Sequence, residues 1–281
     1  MYYIQEIDKP DVILNAFNIV KMQEDKIILP VNSKTISEKK AYRLAYKVIK
    51  LLKKGNSKKI VLSNKVKNYK EFVNILYTNG FDIIDGKWLF GVLSKKIIDY
   101  VIAKKEIKKE EVQVTILVNE LNEILLENIK KIVQEYKKVN IVTNHNEKFK
   151  NIEKKLLEEE GIMITVGNNK RKSLSKSQII LNVDFPTELI NKYNINENAI
   201  IINLMKNVKI CLKRFNGINI NDYEITLKKI YDFDFEKQQK YKLTELYEAQ
   251  IYKKQPYENI IKRIEKDQIE IEYLKGENNK I

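Results

Sequence analysis

The sequence predicts an α/β fold with a Rossmann-like doubly wound parallel sheet, an α/β N-terminal region and a C-terminal helical arm. Three observations carry this. Val112–Val118 is a continuous apolar run of the kind that forms a strand covered on both faces. Apolar runs and amphipathic segments then alternate as β-α-β-α-β through short connections, up to Leu204. Of the 281 residues, 43% are hydrophobic, which suffices for a sizeable core. The expected division is residues 1–110, 111–235 and 236–281.

Strands are expected at Tyr2–Ile7 and Lys26–Val31, around a short Asp11–Val20 segment. Ser37 is placed to cap a helix over Glu38–Lys54 that Gly55 closes; Ala41, Leu44, Ala45, Val48, Ile49 and Leu52 recur on one face. Lys59–Ser63 is a short strand. Tyr69, Phe72, Val73, Leu76 and Tyr77 mark a helix ending at Gly80, and strand Phe81–Asp85 follows. Trp88–Lys105 reads as one helix with Trp88 anchored in the core. In the central unit, strands are expected at Val112–Val118, Val139–Thr143, Ile162–Val166, Ile179–Val183 and Ala199–Leu204, with helices between them. Cys211, in the alternating stretch VKICLKRF, reads as a buried strand residue. From Lys237 the pattern turns helical, and Leu243, Leu246, Tyr247 and Ile251 are expected to pack on the Rossmann-like domain or on a second subunit. IEIEY at Ile269–Tyr273 has period two and suits an edge strand, with a frayed end after it.

Composition narrows the function. One Cys and one His exclude a disulfide scaffold and a Cys/His zinc site, and no metal is expected. No apolar run approaches the roughly 20 residues that span a bilayer, and the first residues lack the pattern of a secretory signal, so the expectation is a cytoplasmic protein away from membranes. The net charge of +14 comes from 48 Lys and 4 Arg against 38 acidic residues. Residues 1–110 hold 23 basic side chains against 12 acidic, whereas 111–235 hold 19 against 17 and 236–281 hold 10 against 9. Within the basic third, Lys39, Arg43, Lys47, Lys50 and Lys54 form a stripe opposite the apolar face of their helix. It reads as a solvated face or as a surface that neutralises phosphates.

Ligands of an open parallel sheet bind beyond the carboxyl ends of its strands, near the point where strand order reverses. The residues placed there are Asn119, Glu120, Asn144, His145, Asn168, Lys170, Arg171, Lys172 and Asp184. Gly167–Ser173 combines a glycine-led turn, three cations and a nearby series of hydroxyls (Ser173, Ser175, Ser177). It reads either as an exposed basic loop or as an anion cradle. His145, at a strand end, is the one general acid/base candidate. No Walker motif and no G-x-S-x-G elbow is present.

The segment SQIILNVDFP, Ser177–Pro186, resembles the late-strand segment of shikimate-dehydrogenase-type Rossmann domains, and the similar layout extends over about residues 59–275. That resemblance implies a Rossmann fold and, in its active form, NAD(P)-dependent oxidoreductase chemistry. The sequence departs from it where the cofactor would sit. A dinucleotide needs a glycine-rich first turn, but here the chain reads Val118-Asn119-Glu120-Leu121-Asn122-Glu123. Thr143-Asn144-His145 stands where an acidic ribose-binding residue belongs, and no matching motif surrounds Asp85 or Lys87. The expectation is therefore a degenerate nucleotide-binding fold that is non-catalytic or without a cofactor and binds a protein partner or a small anion. The alternatives are sequence-tolerant nucleic-acid binding through the basic stripe and an NAD(P)-dependent oxidoreductase.

Overall fold

The computed structural model describes residues 1–281 except 10, 56, 169, 229–238, 253–255 and 277–279. The chain divides into two compact units, Met1–Gly86 with Lys229–Lys254, and Lys87–Lys228 with Gln255–Ile281. The division thus falls at Gly86 rather than at residue 110. The C-terminal stretch is shared between the units instead of forming an arm of its own.

The first unit carries a five-stranded sheet. In chain order its elements are β1 (Tyr2–Glu6), α1 (Val12–Ala16), β2 (Lys21–Gln23), β3 (Lys26–Leu29), α2 (Glu38–Leu52), β4 (Lys59–Leu62), α3 (Lys70–Thr78) and β5 (Asp82–Ile84). The sheet order is β2-β3-β1-β4-β5, parallel except for the β2–β3 hairpin. The expected inner face of α2 is the observed one. Ala41, Leu44, Ala45, Val48, Ile49 and Leu52 are buried with Ile4, Ile27, Leu29, Ile60 and Leu62 of the sheet. Each leucine, isoleucine or valine among them contributes roughly 1.5–3 kcal/mol on burial, and each alanine less. Ser37 stands at the N-cap but makes no side-chain cap bond. Of the residues that mark α3, Phe72 and Leu76 are buried on the face turned to the sheet and Tyr77 is exposed.

The second unit is built from α4 (Lys87–Val92), α5 (Ser94–Lys104), β6 (Gln113–Leu117), α6 (Glu123–Glu135), β7 (Lys138–Val142), α7 (Asn146–Glu160), β8 (Thr165–Gly167), α8 (Lys170–Lys176), β9 (Ile179–Asn182), α9 (Thr187–Ile190), β10 (Ile200–Asn203) and β11 (Ile218–Leu227). The expected helix from Trp88 is broken at Leu93, and Trp88 is half-buried near its start. Six strands are parallel in the order β8-β7-β6-β9-β10-β11, which is the 3-2-1-4-5-6 order of a doubly wound dinucleotide fold. The buried runs of β6, β9 and β10 explain their central places. Gly161 ends α7 in the left-handed conformation at φ 65°. Gly217 admits the chain to β11, since a Cβ there would lie 2.0 Å from the Ala199 carbonyl oxygen.

Two expectations fail in the latter half. Cys211 is exposed and lies in a loop. The alternation around it is real, because Ile210, Leu212 and Phe215 pack on a core cluster. Its backbone N–H, however, donates to the Asn191 side chain at 2.8 Å rather than to a neighbouring strand. The supposed helical arm is α10 (Leu243–Ile251), α11 (Tyr257–Lys266) and a terminal strand β12 (Ile269–Gly276), and its expected start at Lys237 lies outside the described residues. Leu246 and Ala249 of α10 pack with Val61 and Ile84 of the first sheet, within the first unit. α11 rests on α6, where the Tyr257 hydroxyl donates to Asn128 Oδ1 at 2.9 Å. The alternating IEIEY is the edge strand β12, antiparallel to β11.

Candidate functional site

The order of the second sheet reverses between β6 and β9, so the crevice beyond their carboxyl ends is where this architecture takes a ligand. β6 ends at Leu117, and the chain turns through Asn119 and Glu120 into α6, whose first turn is capped by Asn122 Oδ1 accepting from the Leu125 N–H at 2.9 Å. In a dinucleotide-binding protein the amides of this turn receive the pyrophosphate.

Here they receive a carboxylate of the same chain. The Asp184 side chain, just past β9, accepts the Asn119 N–H at 2.9 and 3.0 Å and the Glu120 N–H at 2.8 Å. The Asn119 side-chain amide adds a weaker contact at 3.3 Å. Asn119 Oδ1 in turn accepts the Asn144 N–H beyond β7 at 3.0 Å, so Asn119 ties together the ends of β6, β7 and β9. Burial pushes the Asp184 carboxyl up from its ordinary value, and the two backbone donors oppose that rise. Glu120 is exposed and pairs with Lys148 at 2.8 Å, and this contact holds its carboxyl below the usual range. Chemically the turn is a set of anion-directed donors already saturated by an internal anion, with a second carboxylate at its rim.

The ends of β9 and β10, with the start of β11 beside them, are closed in a different way. Asn182, Asn203 and Asn219 are buried and joined side by side: Asn182 Nδ2 donates to Asn203 Oδ1 at 2.9 Å, and Asn203 Nδ2 to Asn219 Oδ1 at 2.8 Å. Asn182 also holds the turn before Pro186, accepting the Phe185 N–H at 2.9 Å and donating to the Phe185 carbonyl at 3.1 Å. Asn221 accepts the Val208 N–H at 2.9 Å, and Asn219 donates to the Val208 carbonyl at 2.7 Å. Lys87 donates to the Asn221 carbonyl at 2.6 Å and to Asn207 Oδ1 at 3.0 Å. Buried amides of this kind lower the energy only when nearly all their groups are paired, and these are.

The structure brings together Asn119, Glu120, Asn144 and Asp184 from the residues placed at the strand ends by sequence. His145 is exposed at the start of α7, and its N–H donates to Thr143 Oγ1 at 3.0 Å. Among the described residues no carboxylate orients its ring for acid–base work. Asn168 is exposed beyond the edge strand β8, and Lys172 is exposed on α8, the helix that crosses over β7 and β6. Lys170 opens helix α8 rather than lying in a loop. The side chains of Lys170 and Arg171, and Asn169, lie outside the described residues. Two of the three hydroxyls expected to complete an anion cradle turn elsewhere: Ser177 donates to the Ser173 carbonyl at 2.8 Å and meets Thr115 Oγ1 in the interior, and Ser175 donates to the Lys172 carbonyl at 3.3 Å. Among the described residues no group of His, Cys, Asp and Glu is arranged to hold a metal ion, and no helix is long and apolar enough to cross a membrane.

On the first unit, Lys39, Arg43, Lys47 and Lys50 are exposed on α2; the helix ends at Leu52 rather than Lys54, and Lys54 is exposed in the turn after it. Lys47 is engaged, donating to the carbonyls of Phe17 and Asn18 at 2.9 Å each. Charge counting passed over the aromatic residues between these cations. Tyr42 and Tyr46 lie on the same face with 67% and 72% of their surface exposed, and Phe17 of the α1 turn has 70% exposed.

The strand order and the turn after β6 define a Rossmann-like α/β protein whose phosphate-directed amides are internally bonded. No family model matches the chain, and no curated protein sequence matches it. Among solved structures it is similar to L-tryptophan dehydrogenase from Nostoc punctiforme, with 9% identity and a TM-score of 0.28 over 72% of this chain and 62% of that one. It thus spans less than two thirds of that dehydrogenase's length. D-mandelate dehydrogenase of Rhodotorula graminis matches with 10% identity and a TM-score of 0.35 over 76% of each chain. Ornithine carbamoyltransferase from Pyrococcus furiosus matches with 13% identity and a TM-score of 0.27, over 72% of this chain and 71% of that one. At these scores the fold assignment rests on the strand order itself.

Proposed function

We propose that this is a non-catalytic, cofactor-less Rossmann-like protein that works by binding a partner rather than by transferring a hydride. The observation that carries the reading is the Asp184 carboxylate on the amides of Asn119 and Glu120. A diphosphate entering this turn has to expel Asp184, overcome repulsion from Glu120, and approach a backbone with no glycine between Val118 and Glu123. The absence of an acidic residue at Asn144 and His145 removes the usual ribose contact. The asparagines that end β9 and β10 and open β11 are paired with one another and with the Val208 carbonyl, so these amides are not offered to a substrate.

Calorimetric titration of the full chain with NAD, NADP and ATP tests this. The expected result is no saturable heat at millimolar ligand. Micromolar affinity for a dinucleotide overturns the cofactor-less reading and returns the oxidoreductase alternative to first place. If Asp184→Ala instead gains binding of inorganic pyrophosphate, the turn retains the geometry of a phosphate site and Asp184 is what closes it.

A further inference from the structure

The outer face of α2 departs from an ordinary solvated helix. Between Glu38 and Lys54 stand seven basic side chains and one acidic. The exposed residues fall into two adjacent rows with i, i+4 spacing, one of Tyr42, Tyr46 and Lys50, the other of Lys39, Arg43 and Lys47. At 1.5 Å rise per residue the backbone positions of the two tyrosines are about 6 Å apart along the axis. The α1 turn adds a third ring. Lys47 holds the carbonyls of Phe17 and Asn18, and Lys40 bonds Asn15, so Phe17 is pinned beside the helix and lines one groove with Tyr42, Arg43 and Tyr46. Three large aromatic side chains left open to water among cations need a partner that is both anionic and rich in flat apolar faces.

From this we propose that the α2 face of the first unit binds single-stranded nucleic acid. Phe17, Tyr42 and Tyr46 stack on bases, while Lys39, Arg43, Lys50 and Lys54 meet the phosphates. Charge complementarity selects this occupant over the others. A second copy seated on the same face sets Lys39, Arg43 and Lys50 against their own images. An anionic lipid surface suits the rings less well, because the neighbouring exposed apolar residues, Val12 and Ile13, border a hollow shared with Asp8 and Asp11. Duplex DNA offers no free base faces to the rings. The inference goes beyond the partner-binding reading above by naming the partner's chemistry, and it does not depend on the Asp184 turn.

The test is fluorescence anisotropy of the full chain with labelled 20-nucleotide oligothymidine and oligouridine, a duplex of equal length, and heparin as a polyanion without bases. The expected result is single-strand binding that weakens steeply between about 50 and 200 mM salt. Y42A/Y46A weakens it at least roughly tenfold, Y42F/Y46F restores it, and heparin binding is unmoved by either pair. R43A/K50A lowers the logarithmic salt slope by roughly 0.7 per cation removed. All these positions are exposed, and the phenylalanine pair keeps the test decisive should the alanine pair fold poorly. The proposal is overturned by no anisotropy change at low salt, by equal binding of duplex, or by tyrosine variants that bind as the parent does. Vesicles of phosphatidylserine and phosphatidylcholine bound in place of oligonucleotide overturn it too, as does a dimer in the parent that Y42A/Y46A dissolves.

Discussion

The turn after β6 and the outer face of α2 treat anions in opposite ways. The turn has the geometry that attracts a phosphate, backbone N–H groups at the entrance to a helix, and its donors are met by Asp184. The face of α2 has no such inherited geometry, yet its cations and rings stand open to solvent. Fold predicts a ligand site at the first of these and is silent about the second. What decides is which polar groups still lack a partner after folding: the Asn119–Glu120 turn is closed by Asp184, Asn146 Oδ1 past β7 is left without a partner, and the rings of the helix face are open.

The strongest way to break the closed side is at the asparagines. Asn203 is fully buried and bonds Asn182, Asn219 and the Ile220 carbonyl. Asn203→Ala strands those groups and is expected to cost roughly 3 kcal/mol in urea unfolding, among the larger effects of a single polar substitution. Asp184→Ala is next, at about 2 kcal/mol, because water reaches the half-buried amides of Asn119 and Glu120 once the carboxylate is gone.

The same variant sharpens the comparison through pH. Burial raises the folded-state value of Asp184 above its unfolded value. Its contribution to stability is therefore fully present below the ordinary aspartate value, about 3.9, and is lost as pH rises through the raised one. The stability gap between parent and Asp184→Ala is expected to narrow from pH 4 to pH 7 in urea melts, and a gap that widens contradicts the assignment. On the open side the smallest effect is expected. Y42A/Y46A removes exposed rings and should change unfolding by less than about 0.5 kcal/mol per residue, so a large loss would mean that the rings belong to the core.

The alternation from Val112 to Leu204 was enough to read the parallel sheet, because buried central strands are uniformly apolar. β11 is not legible for the opposite reason: Asn219, Asn221 and Asp222 interrupt ININDYEITL with polar side chains, and the partners of the two asparagines lie in β10 and the loop through Val208. Asn119 and Asp184 were both recognisable as strand-end residues. That one answers the other was not, since the contact spans 65 residues and exists only once β6 and β9 are neighbours. α10 carried the expected apolar stripe, but the stripe does not say which sheet it meets. Tyr42 and Tyr46 were legible in principle, from the positions that α2 leaves outside its apolar face.

The central claim is most directly tested on the amide protons of Asn119 and Glu120 by nuclear magnetic resonance. In the parent protein the account predicts that both resonances follow the ionisation of Asp184 on acidification and stay still when pyrophosphate is added to millimolar concentration at pH 7. Saturable movement of the two amides with pyrophosphate in the unaltered protein would contradict it.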